Sequence, residues 1–397
     1  MRVLISGAGI AGCTLAYWLQ HYGITPTIVE KAPELRTAGY MIDFWGAGFD
    51  IADRMGLSEE LRRKGYIVQE VKVVDRNGKR VAGFRAADVI TATTGGRYVS
   101  LPRGELAASI FGQIRCKVET IFGDSIAGIE QTDNTVHVSF DHGITRNFDL
   151  VVGADGLHSR VRELVFGDES RFEKYLGYKV AAFETDGYRP RDELAYVMYT
   201  EVHQQVGRFA MKDDRTLFLF TFADDEADRI SPSDTEAVKR ILHKRFGASG
   251  WECPKILDAL DACDDVYFDR VSQIRMHENE GLWSWQRVTL IGDAASCVSL
   301  LAGQGCALAM IAAYILAGEL GRADGNYSQA FKRYQDLFGP FVAGKQKAAL
   351  RLGGSFAPKS KTSLFLRNQI MNLLKIPWVA KLAIGAGLRD KLTLPEY

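Results

Sequence analysis

Several absences limit what this 397-residue chain can be. Its 49 basic and 49 acidic residues cancel, so the chain lacks the positive bias of nucleic-acid-binding proteins. Its six cysteines are scattered without Cys-x-x-Cys spacing, so we predict neither a metal site nor a disulfide framework and expect free thiols in a reducing cytoplasm. No charge-free run of membrane-spanning length occurs, and the first apolar stretch begins at residue 3 as a strand, so we expect no signal peptide.

The first apolar strand runs directly into a glycine-rich turn and a helix. Gly7 permits a tight turn, Gly9 leaves room for a pyrophosphate to approach the backbone, and Gly12 lets the helix pack close to the sheet. The start of the helix then directs free N–H groups at the phosphates. Glu30 ends the next apolar strand, where a carboxylate accepts hydrogen bonds from ribose hydroxyls. This order of elements predicts a bound dinucleotide.

A second apolar strand, residues 288–291, lies almost three hundred residues later. It is followed by Gly292-Asp293 and then by Gly303-Gln304-Gly305, which opens a long helix to about residue 320. The two distant pieces together predict one discontinuous nucleotide-binding domain, a tightly held FAD and redox chemistry.

The middle of the chain differs in composition and is rich in aromatic residues. Aromatic-rich segments with strand character cover residues 178–185, 195–202, 205–211 and 216–222, and residues 71–81 read as a hairpin that turns at Asn77-Gly78. A charged helix is predicted over 50–65. The predicted fold class is α/β: a discontinuous Rossmann-like FAD-binding domain (1–70, 97–168 and 265–335), an antiparallel-sheet substrate domain (71–96 and 169–264) and C-terminal helices (336–397).

Two further motifs lie between the ends. A strand enters an Asp155-Gly156 turn and a basic helix start, and Arg103 opens another helix. With the two glycine motifs, they resemble the single-component FAD-dependent aromatic monooxygenases of the para-hydroxybenzoate hydroxylase type over about residues 1–330. Within that family, the segment from Gly39 to Asp43 and the overall spacing look most like the tetracycline-inactivating flavin monooxygenases.

The resemblance implies an activity. NADPH would bind briefly to reduce the flavin, and O2 would add to the reduced flavin to give a peroxyflavin. One oxygen atom would then enter a phenolic or polycyclic small molecule, such as a tetracycline. The expected partner is therefore an aromatic small molecule, in a cytoplasmic protein that is a monomer or weak dimer. No catalytic acid or base is assigned, because the family's protein groups mainly position the substrate and exclude water.

The resemblance also implies roles for individual residues. Asp293 would bind the ribityl chain, Arg103 would lie along the cofactor, and Arg36 would lie at the adenosine end. Asp155 and Arg160 would support the pyrophosphate and NADPH. The full set of candidate cofactor-binding residues is Gly7, Gly9, Ala11, Gly12, Glu30, Lys31, Arg36, Asp43, Arg103, Asp155, Asp293, Gly303, Gln304 and Gly305.

The chain departs from the family pattern between the Gly-Asp and Gly-Gln-Gly motifs. An aromatic residue or His and then prolines are usual there, but this chain has Ser296, Val298, Ser299 and Leu300; Ala307 replaces the usual Asn. The departure motivates an alternative, a flavoprotein that binds its aromatic ligand without oxygenating it. A second alternative is a flavin-dependent halogenase, suggested by Trp283-Ser284-Trp285.

Candidate substrate-binding residues come from the aromatic strands. We expect His203, Gln205 and Arg208 to recognise an oxygen-rich ligand, with Arg208 suited to an enolate. Alternation places Phe218, Phe220 and Phe222 on one face, where core packing is the favoured explanation for any single aromatic residue. The complete set is Tyr199, His203, Gln205, Arg208, Phe209, Met211, Phe218 and Phe220.

The last part of the chain is basic. Residues 341–397 carry ten Lys or Arg but only two acids, Asp390 and Glu396. Two interpretations stay open: helices that pack on the protein and cap the active site, which we favour, or a helix that lies on a membrane surface.

Overall fold

A computed structural model of the chain describes residues 1–36, 39–224, 230–231, 234–276, 282–376, 379 and 392–397, without the side chains of 91–93 and 351–355. The described strands are β1 (Arg2–Ser6), β2 (Thr25–Glu30), β3 (Met41–Trp45), β4 (Glu70–Val74), β5 (Arg80–Arg85), β6 (Tyr98–Pro102), β7 (Glu119–Phe122), β8 (Ile126–Gln131), β9 (Val136–Phe140), β10 (Thr145–Phe148), β11 (Leu150–Gly153), β12 (Glu173–Asp186), β13 (Ala195–Glu201), β14 (Gln204–Ala210), β15 (Arg215–Ala223), β16 (Tyr267–Ile274), β17 (Ser284–Trp285) and β18 (Val288–Leu290).

The helices between them differ greatly in length. Those described are α1 (Ile10–His21), α2 (Gly46–Arg54), α3 (Ser58–Lys64), α4 (Ala86–Thr94), α5 (Arg103–Ile114), α6 (Arg160–Phe166), α7 (Thr235–Phe246), α8 (Cys253–Asp261), α9 (Asp293–Ser296), α10 (Gly305–Arg322), α11 (Tyr327–Phe356) and α12 (Lys361–Leu373). The prediction of one helix over residues 50–65 is wrong about its continuity. The segment is two helices, α2 and α3, separated by a turn in which Gly56 has a φ of +74°.

A six-stranded sheet carries the glycine-rich turn. Its order is β17-β18-β11-β1-β2-β7, and all neighbours are parallel except β17 and β18. The central strands are continuous apolar runs, such as Val3, Leu4 and Ile5, because both faces of a parallel sheet are covered. Helices α1 and α10 pack against each other beside it. The α/β fold class and the distant return of the chain through β18 are confirmed.

A seven-stranded sheet forms the second half, in the order β16-β12-β15-β14-β13-β4-β5. All pairs are antiparallel except β13 and β4. The four aromatic strands and the hairpin are confirmed. The edge strand β16 also belongs to this sheet, although residues 265–335 were assigned to the FAD-binding domain. The exact domain bounds stay a prediction.

The two faces of the seven-stranded sheet have different neighbours. One face carries Val197, Val206 and Phe220 and packs under α7 and α8, and we call it the helix-covered face. The opposite face, which we call the inner face, carries Phe209 and Leu217, which pack with Tyr66 and Met41. Further along, Leu219 on the same inner face packs against a buried cluster that includes Val180 and Leu301. The inner face therefore looks toward β3 and the loop before α10.

The C-terminal part packs on both halves. Helix α12 lies on β5 of the seven-stranded sheet, as the packing interpretation predicts. Residues 392–397 return to α10, where the Tyr397 hydroxyl donates to Glu319 Oε1 at 2.9 Å and the Tyr314 hydroxyl donates to the Pro395 carbonyl at 2.9 Å. Helix α10 is the one described helix long and apolar enough to cross a membrane, but 72% of its span is buried inside the protein.

Candidate functional site

Close backbone approaches bring the sequence motifs together. An ideal Cβ on Gly7 would lie 2.6 Å from the Ala154 carbonyl oxygen, next to Asp155, and φ at Gly7 is +104°. An ideal Cβ on Gly292 would lie 3.0 Å from Ala11 Cβ. Only glycine fits comfortably at such contacts. The glycine-rich turn therefore lies between the Asp-Gly turn on one side and the Gly-Asp turn on the other.

The two helices that start at this junction lack side-chain caps. Gly9 is the N-cap of α1 and Gln304 is the N-cap of α10, and neither N-cap makes a side-chain hydrogen bond. Ideal Cβ atoms on Gly9 and Gly303 would meet nothing within 4 Å. Uncapped N–H groups beside open space suit an anionic ligand at both helix starts. This geometry fits the diphosphate at α1 and an electron-rich ring at α10.

Glu30 holds the turn in shape. Its Oε2 accepts a hydrogen bond from the Ala8 N–H at 2.8 Å, and its Oε1 accepts one from the Ala32 N–H at 2.9 Å. A carboxylate has about four acceptor positions, so two remain for ribose hydroxyls. Lys31 and Arg36, the other candidates at this end, are exposed.

A buried polar cluster lies where β3, α5 and α10 meet. Arg103 is near Tyr40, Asp293 and Cys306, and its backbone N–H donates to the Tyr40 carbonyl at 3.0 Å. Burial raises the pKa of Asp293, with Arg103 opposing the shift. Burial also raises the pKa of Cys306 to about 11. One cation beside a buried carboxyl suits the predicted placement of both groups along the cofactor.

Asp43 faces a cavity at the start of α10. The cavity is lined by Asp43, Trp45, Gly303, Gln304, Ala307, Leu308 and Ile311. The Asp43 carboxylate accepts hydrogen bonds from the Tyr98 hydroxyl at 2.5 Å and from the Ser100 hydroxyl. Burial raises its pKa, and these two hydrogen bonds oppose the shift. Ala307 packs on Gly48, whose ideal Cβ would lie 2.6 Å from Ala307 Cα, so a larger residue at 307 would push α2 away.

The Asp155 side chain works within the fold. It accepts hydrogen bonds from Ser159 Oγ at 2.5 Å, the Val161 N–H at 3.1 Å and Ser6 Oγ at 3.2 Å, and so ties β1 to the start of α6. The Arg160 guanidinium pairs with Glu163 at 2.7 Å and lies on the far side of α6, against the β8 carbonyls. Asp155 thus supports the glycine-rich turn from behind through Ser6, whereas the contacts of Arg160 direct its guanidinium to Glu163 and β8.

The unusual loop at 296–300 is anchored by two buried glutamines. Gln273 Nε2 donates to the Val298 carbonyl at 2.7 Å, and Gln346 Nε2 donates to the Cys297 carbonyl at 3.0 Å. Both glutamines are almost fully buried. Side-chain amides thus fix the path of the backbone where the family pattern has prolines.

The inner face carries three of the predicted substrate residues. Phe209 and Met211 pack with Tyr66, and the Phe209 ring lies 4.6 Å from the Tyr196 ring. Gln205 Oε1 accepts hydrogen bonds from Thr200 Oγ1 at 2.9 Å and from Arg367 at 2.8 Å. His203 lies apart in the exposed turn between β13 and β14, with a φ of +69°.

Four other predicted substrate residues lie on the helix-covered face. Arg208 donates to Glu252 Oε2 at 2.6 Å, to the Pro190 carbonyl at 2.7 Å and to Asp192, so its charge joins the sheet to α8. Tyr199 donates to Glu201 at 2.5 Å. Phe218 and Phe220 stack on Phe183 within the core under α7 and α8. The expectation that Arg208 meets an enolate is corrected, because carboxylates of the fold already occupy its guanidinium.

Trp283-Ser284-Trp285 is part of a short hairpin at the edge of the nucleotide sheet. Ser284 and Trp285 pair with β18, Trp283 is buried against Tyr334 and Phe338, and Trp285 is exposed. This placement explains the segment as structural. Within the ranges that the structure describes, no three His, Cys, Asp or Glu residues are grouped to hold a metal ion.

Sequence reasoning missed several polar residues of the site. Tyr40, Tyr98 and Ser100 lack a motif of their own, because their partners come from other elements. Arg367 lies in the basic C-terminal segment, where ten similar charges made it inconspicuous. A lone Arg between apolar residues on a predicted helix was the available signal.

Comparisons with known proteins agree with this geometry. The family model described as FAD binding domain matches residues 1–326. An uncharacterized protein of Mycobacterium tuberculosis strain H37Rv is 37% identical over 348 residues, which are 87% of this chain and 91% of the relative. A flavin-dependent monooxygenase of an unknown prokaryotic organism is 33% identical over 409 residues, covering 100% of this chain and 99% of the relative.

Solved structures are similar over the whole length. Tetracycline destructase Tet(51) is 32% identical, with a TM-score of 0.82, and the match covers 100% of this chain and 99% of that one. Klebsiella pneumoniae HpxO, complexed with FAD and uric acid, shares the fold at 22% identity, with a TM-score of 0.79 and 98% and 95% of the two chains covered. The matched family, the long relatives and the paired glycine motifs lead to one conclusion: this chain belongs to the FAD-dependent aromatic monooxygenases.

Proposed function

We propose that this enzyme uses NADPH and O2 to insert one oxygen atom into a phenolic or polycyclic small molecule, and that a tetracycline is one of its substrates. The observation that carries the proposal is the cavity at the uncapped start of α10. It contains the Asp43 carboxylate and the backbone of Gly303 and Gln304, and it adjoins the inner face of the substrate sheet through β3.

The protein groups have distinct tasks in this proposal. FAD, once reduced, supplies the chemistry that activates O2. The N–H groups at the start of α10 would face the electron-rich ring of the cofactor and favour negative charge there, because the positive end of the helix dipole lies at this point. Arg103 and Asp293 position the cofactor. The apolar inner face, including Phe209, Leu219 and Leu301, holds the aromatic substrate and excludes water.

The anchored loop at 296–300 favours oxygenation over simple ligand binding. A reactive flavin must be shielded from water, and a loose loop at this position would admit it. Gln273 of β16 and Gln346 of α11 hold the loop through two of its backbone carbonyls, those of Val298 and Cys297, and Gln346 also donates to the Ile274 carbonyl of β16. The loop is therefore fixed by buried hydrogen bonds in place of proline rings.

The tetracycline proposal is supported by similarity. Tet(51) matches the whole chain, including the C-terminal helices, at 32% identity. Shared fold and ancestry carry less weight for a substrate than for a reaction, since sites change while folds persist. A direct assay is therefore required.

The test is mass spectrometry of a tetracycline incubated aerobically with the purified holoenzyme and NADPH. We expect a gain of one oxygen atom that requires NADPH and O2. Unchanged tetracycline after many NADPH turnovers would reject this substrate, and a panel of phenols and polycyclic acids in the same assay would then test the wider reaction. Ligand recovered unchanged throughout would favour the binding-only alternative. Incorporation of a halide, with reduced flavin supplied from outside, would favour the halogenase.

A further inference from the structure

Arg367 reaches from α12 onto the inner face of the substrate sheet. One terminal guanidinium nitrogen donates to Thr200 Oγ1 at 2.9 Å and the other donates to Gln205 Oε1 at 2.8 Å. Thr200 and Gln205 are opposite each other on β13 and β14, and both are buried. The helix therefore carries a positive charge to the side of the sheet that also carries Phe209 and Leu219.

The partly buried guanidinium of Arg367 differs from the buried Arg208 and Arg162 in having no acidic partner among the described residues. Arg208 pairs with Glu252 and Arg162 pairs with Glu169. Among the residues that the structure describes, Arg367 contacts only neutral oxygen atoms. Burial lowers its pKa to about 10, so it remains a cation at neutral pH. Removing a cation from water without a counter-charge is costly, and a bound anion would offset that cost.

Neighbouring polar atoms are also incompletely paired. Thr221 faces Gln205 across β14 and β15, is 1% exposed, and its Oγ1 has no hydrogen-bond partner. Asn368, the next residue on α12, has a buried Oδ1 without a partner. Buried polar atoms are nearly always paired in a finished core. Two unpaired oxygen atoms beside one cation are hydrogen-bonding groups that the fold itself leaves unused.

This site is close to the proposed oxygenation site. Leu219 lies diagonally across from Gln205, a separation of roughly 7–8 Å in an antiparallel pair. Leu219 in turn packs against the buried cluster that contains Val180, Val271 and Leu301, and Leu301 lies two residues before the Gly303-Gln304-Gly305 turn. Arg367 therefore lies over the same face of the sheet whose apolar cluster extends to the loop before α10.

We propose that Arg367 binds an anionic oxygen of the substrate and selects aromatic molecules that carry a carboxylate or an ionised enol. Thr200 and Gln205 act as positioning residues that hold the guanidinium fork toward the inner face. The proposal rests on the proposed oxygenase function for the location of the substrate. It assigns to α12 a role in choosing the substrate as well as in covering it.

Matched probes separate charge recognition from a merely structural role. The holoenzyme is titrated with a tetracycline, with salicylate and with its neutral analogue salicylamide, and binding is followed by the change in the visible spectrum of bound flavin. We expect Arg367→Met to weaken binding of the anionic probes by at least tenfold and to leave salicylamide affinity within about twofold. Arg367→Lys should recover part of the loss, because it restores charge but not the planar fork.

The control is Lys361→Gln, which removes the same charge from an exposed position on the same helix. It should leave all affinities unchanged. Hydrogen exchange of residues 361–373 shows whether α12 stays docked in each variant, and an equal loss for charged and neutral probes would mean that Arg367 only anchors the helix. Gln205→Leu should reproduce part of the anionic loss, because the guanidinium would lose one of its two supports.

The outcomes distinguish this inference from the proposed function. If salicylate binding depends on Arg367 but no tetracycline is oxidised, the anion site stands and the tetracycline proposal fails. If the wild-type enzyme oxidises a tetracycline but Arg367→Met does so with unchanged KM and kcat, the anion site is overturned. A wild-type enzyme that binds no anionic probe more tightly than its neutral counterpart would also overturn it.

Discussion

Gly9 and Gly12 of the glycine-rich motif should respond differently to the same substitution by alanine. An ideal Cβ on Gly12 would lie 2.0 Å from the Gly7 carbonyl oxygen and 3.2 Å from Ile5 Cγ2. Gly12→Ala therefore forces α1 away from β1 by roughly 1 Å. Such overpacking costs about 1–3 kcal/mol, and it also displaces the N–H groups that face the diphosphate.

Gly9→Ala is the matched substitution. Its φ of −77° suits alanine, and its Cβ would meet no protein atom within 4 Å. Alanine reduces the entropy of the unfolded chain, which stabilises the folded protein by about 0.4–1 kcal/mol. Alanine is also a poorer N-cap than glycine, and this offsets a similar amount. The apoprotein should thus keep its stability to within about 1 kcal/mol. The added methyl group would instead meet the diphosphate, and we expect FAD affinity to fall at least tenfold, or about 1.4 kcal/mol.

Two measurements separate these effects. Urea unfolding of the apoproteins gives stability without the contribution of bound FAD, and flavin fluorescence titration gives the FAD dissociation constant. We expect Gly12→Ala to lose stability and affinity, and Gly9→Ala to lose affinity alone. The reasoning is refuted if Gly9→Ala binds FAD as tightly as the wild type, or if Gly12→Ala unfolds at the wild-type urea concentration.

Three other substitutions test the remaining assignments. Arg208→Met leaves the Glu252 carboxylate without its cationic partner, so the free energy of unfolding measured in urea should fall by about 3–5 kcal/mol. The tetracycline affinity of the folded holoenzyme should stay unchanged. Weaker tetracycline binding without lower stability would show that Arg208 belongs to the substrate site. The carboxylates of Asp269 and Glu169, which accept hydrogen bonds from the imidazole, raise the pKa of His158 from 6.5 to about 10, so the stabilisation by His158 is complete below pH 6.5 and disappears as the pH rises to 10. The stability deficit of His158→Gln should shrink over that window, and a constant deficit would contradict the assignment. Burial raises the pKa of Asp43 above 3.8, so the wild type should lose stability relative to Asp43→Asn as the pH rises above 3.8, and parallel pH profiles would argue against it.

The glycine motifs were predictable because their chemistry is local. A strand followed by Gly7, with its φ of +104°, can be identified from neighbouring residues alone. The return of the chain through β18 was also predictable, since a buried parallel strand before Gly292 leaves few alternatives. Both features depend on backbone geometry that only certain residues adopt.

The orientation of the substrate sheet was not predictable in the same way. Alternation correctly grouped Phe218, Phe220 and Phe222 on one face. Alternation could not show which face α7 and α8 would cover, because it groups side chains by face but does not indicate which element packs on each face. Arg208 shares that face and therefore meets Glu252, whereas Gln205 lies on the opposite face and meets a helix 160 residues away in sequence.

The contact of Tyr397 with α10 limits how helix α12 can move. Helix α12 continues from α11 at one end, and at the other the chain returns to α10, where Tyr397 packs on Gly318. If α12 lifts from the sheet to admit a substrate, both ends of its segment stay attached. When α12 binds the sheet again, its effective concentration is high, because the loop-closure entropy is already lost in the folded protein. Because both ends of its segment stay attached, α12 should open by small, quick movements and not detach completely.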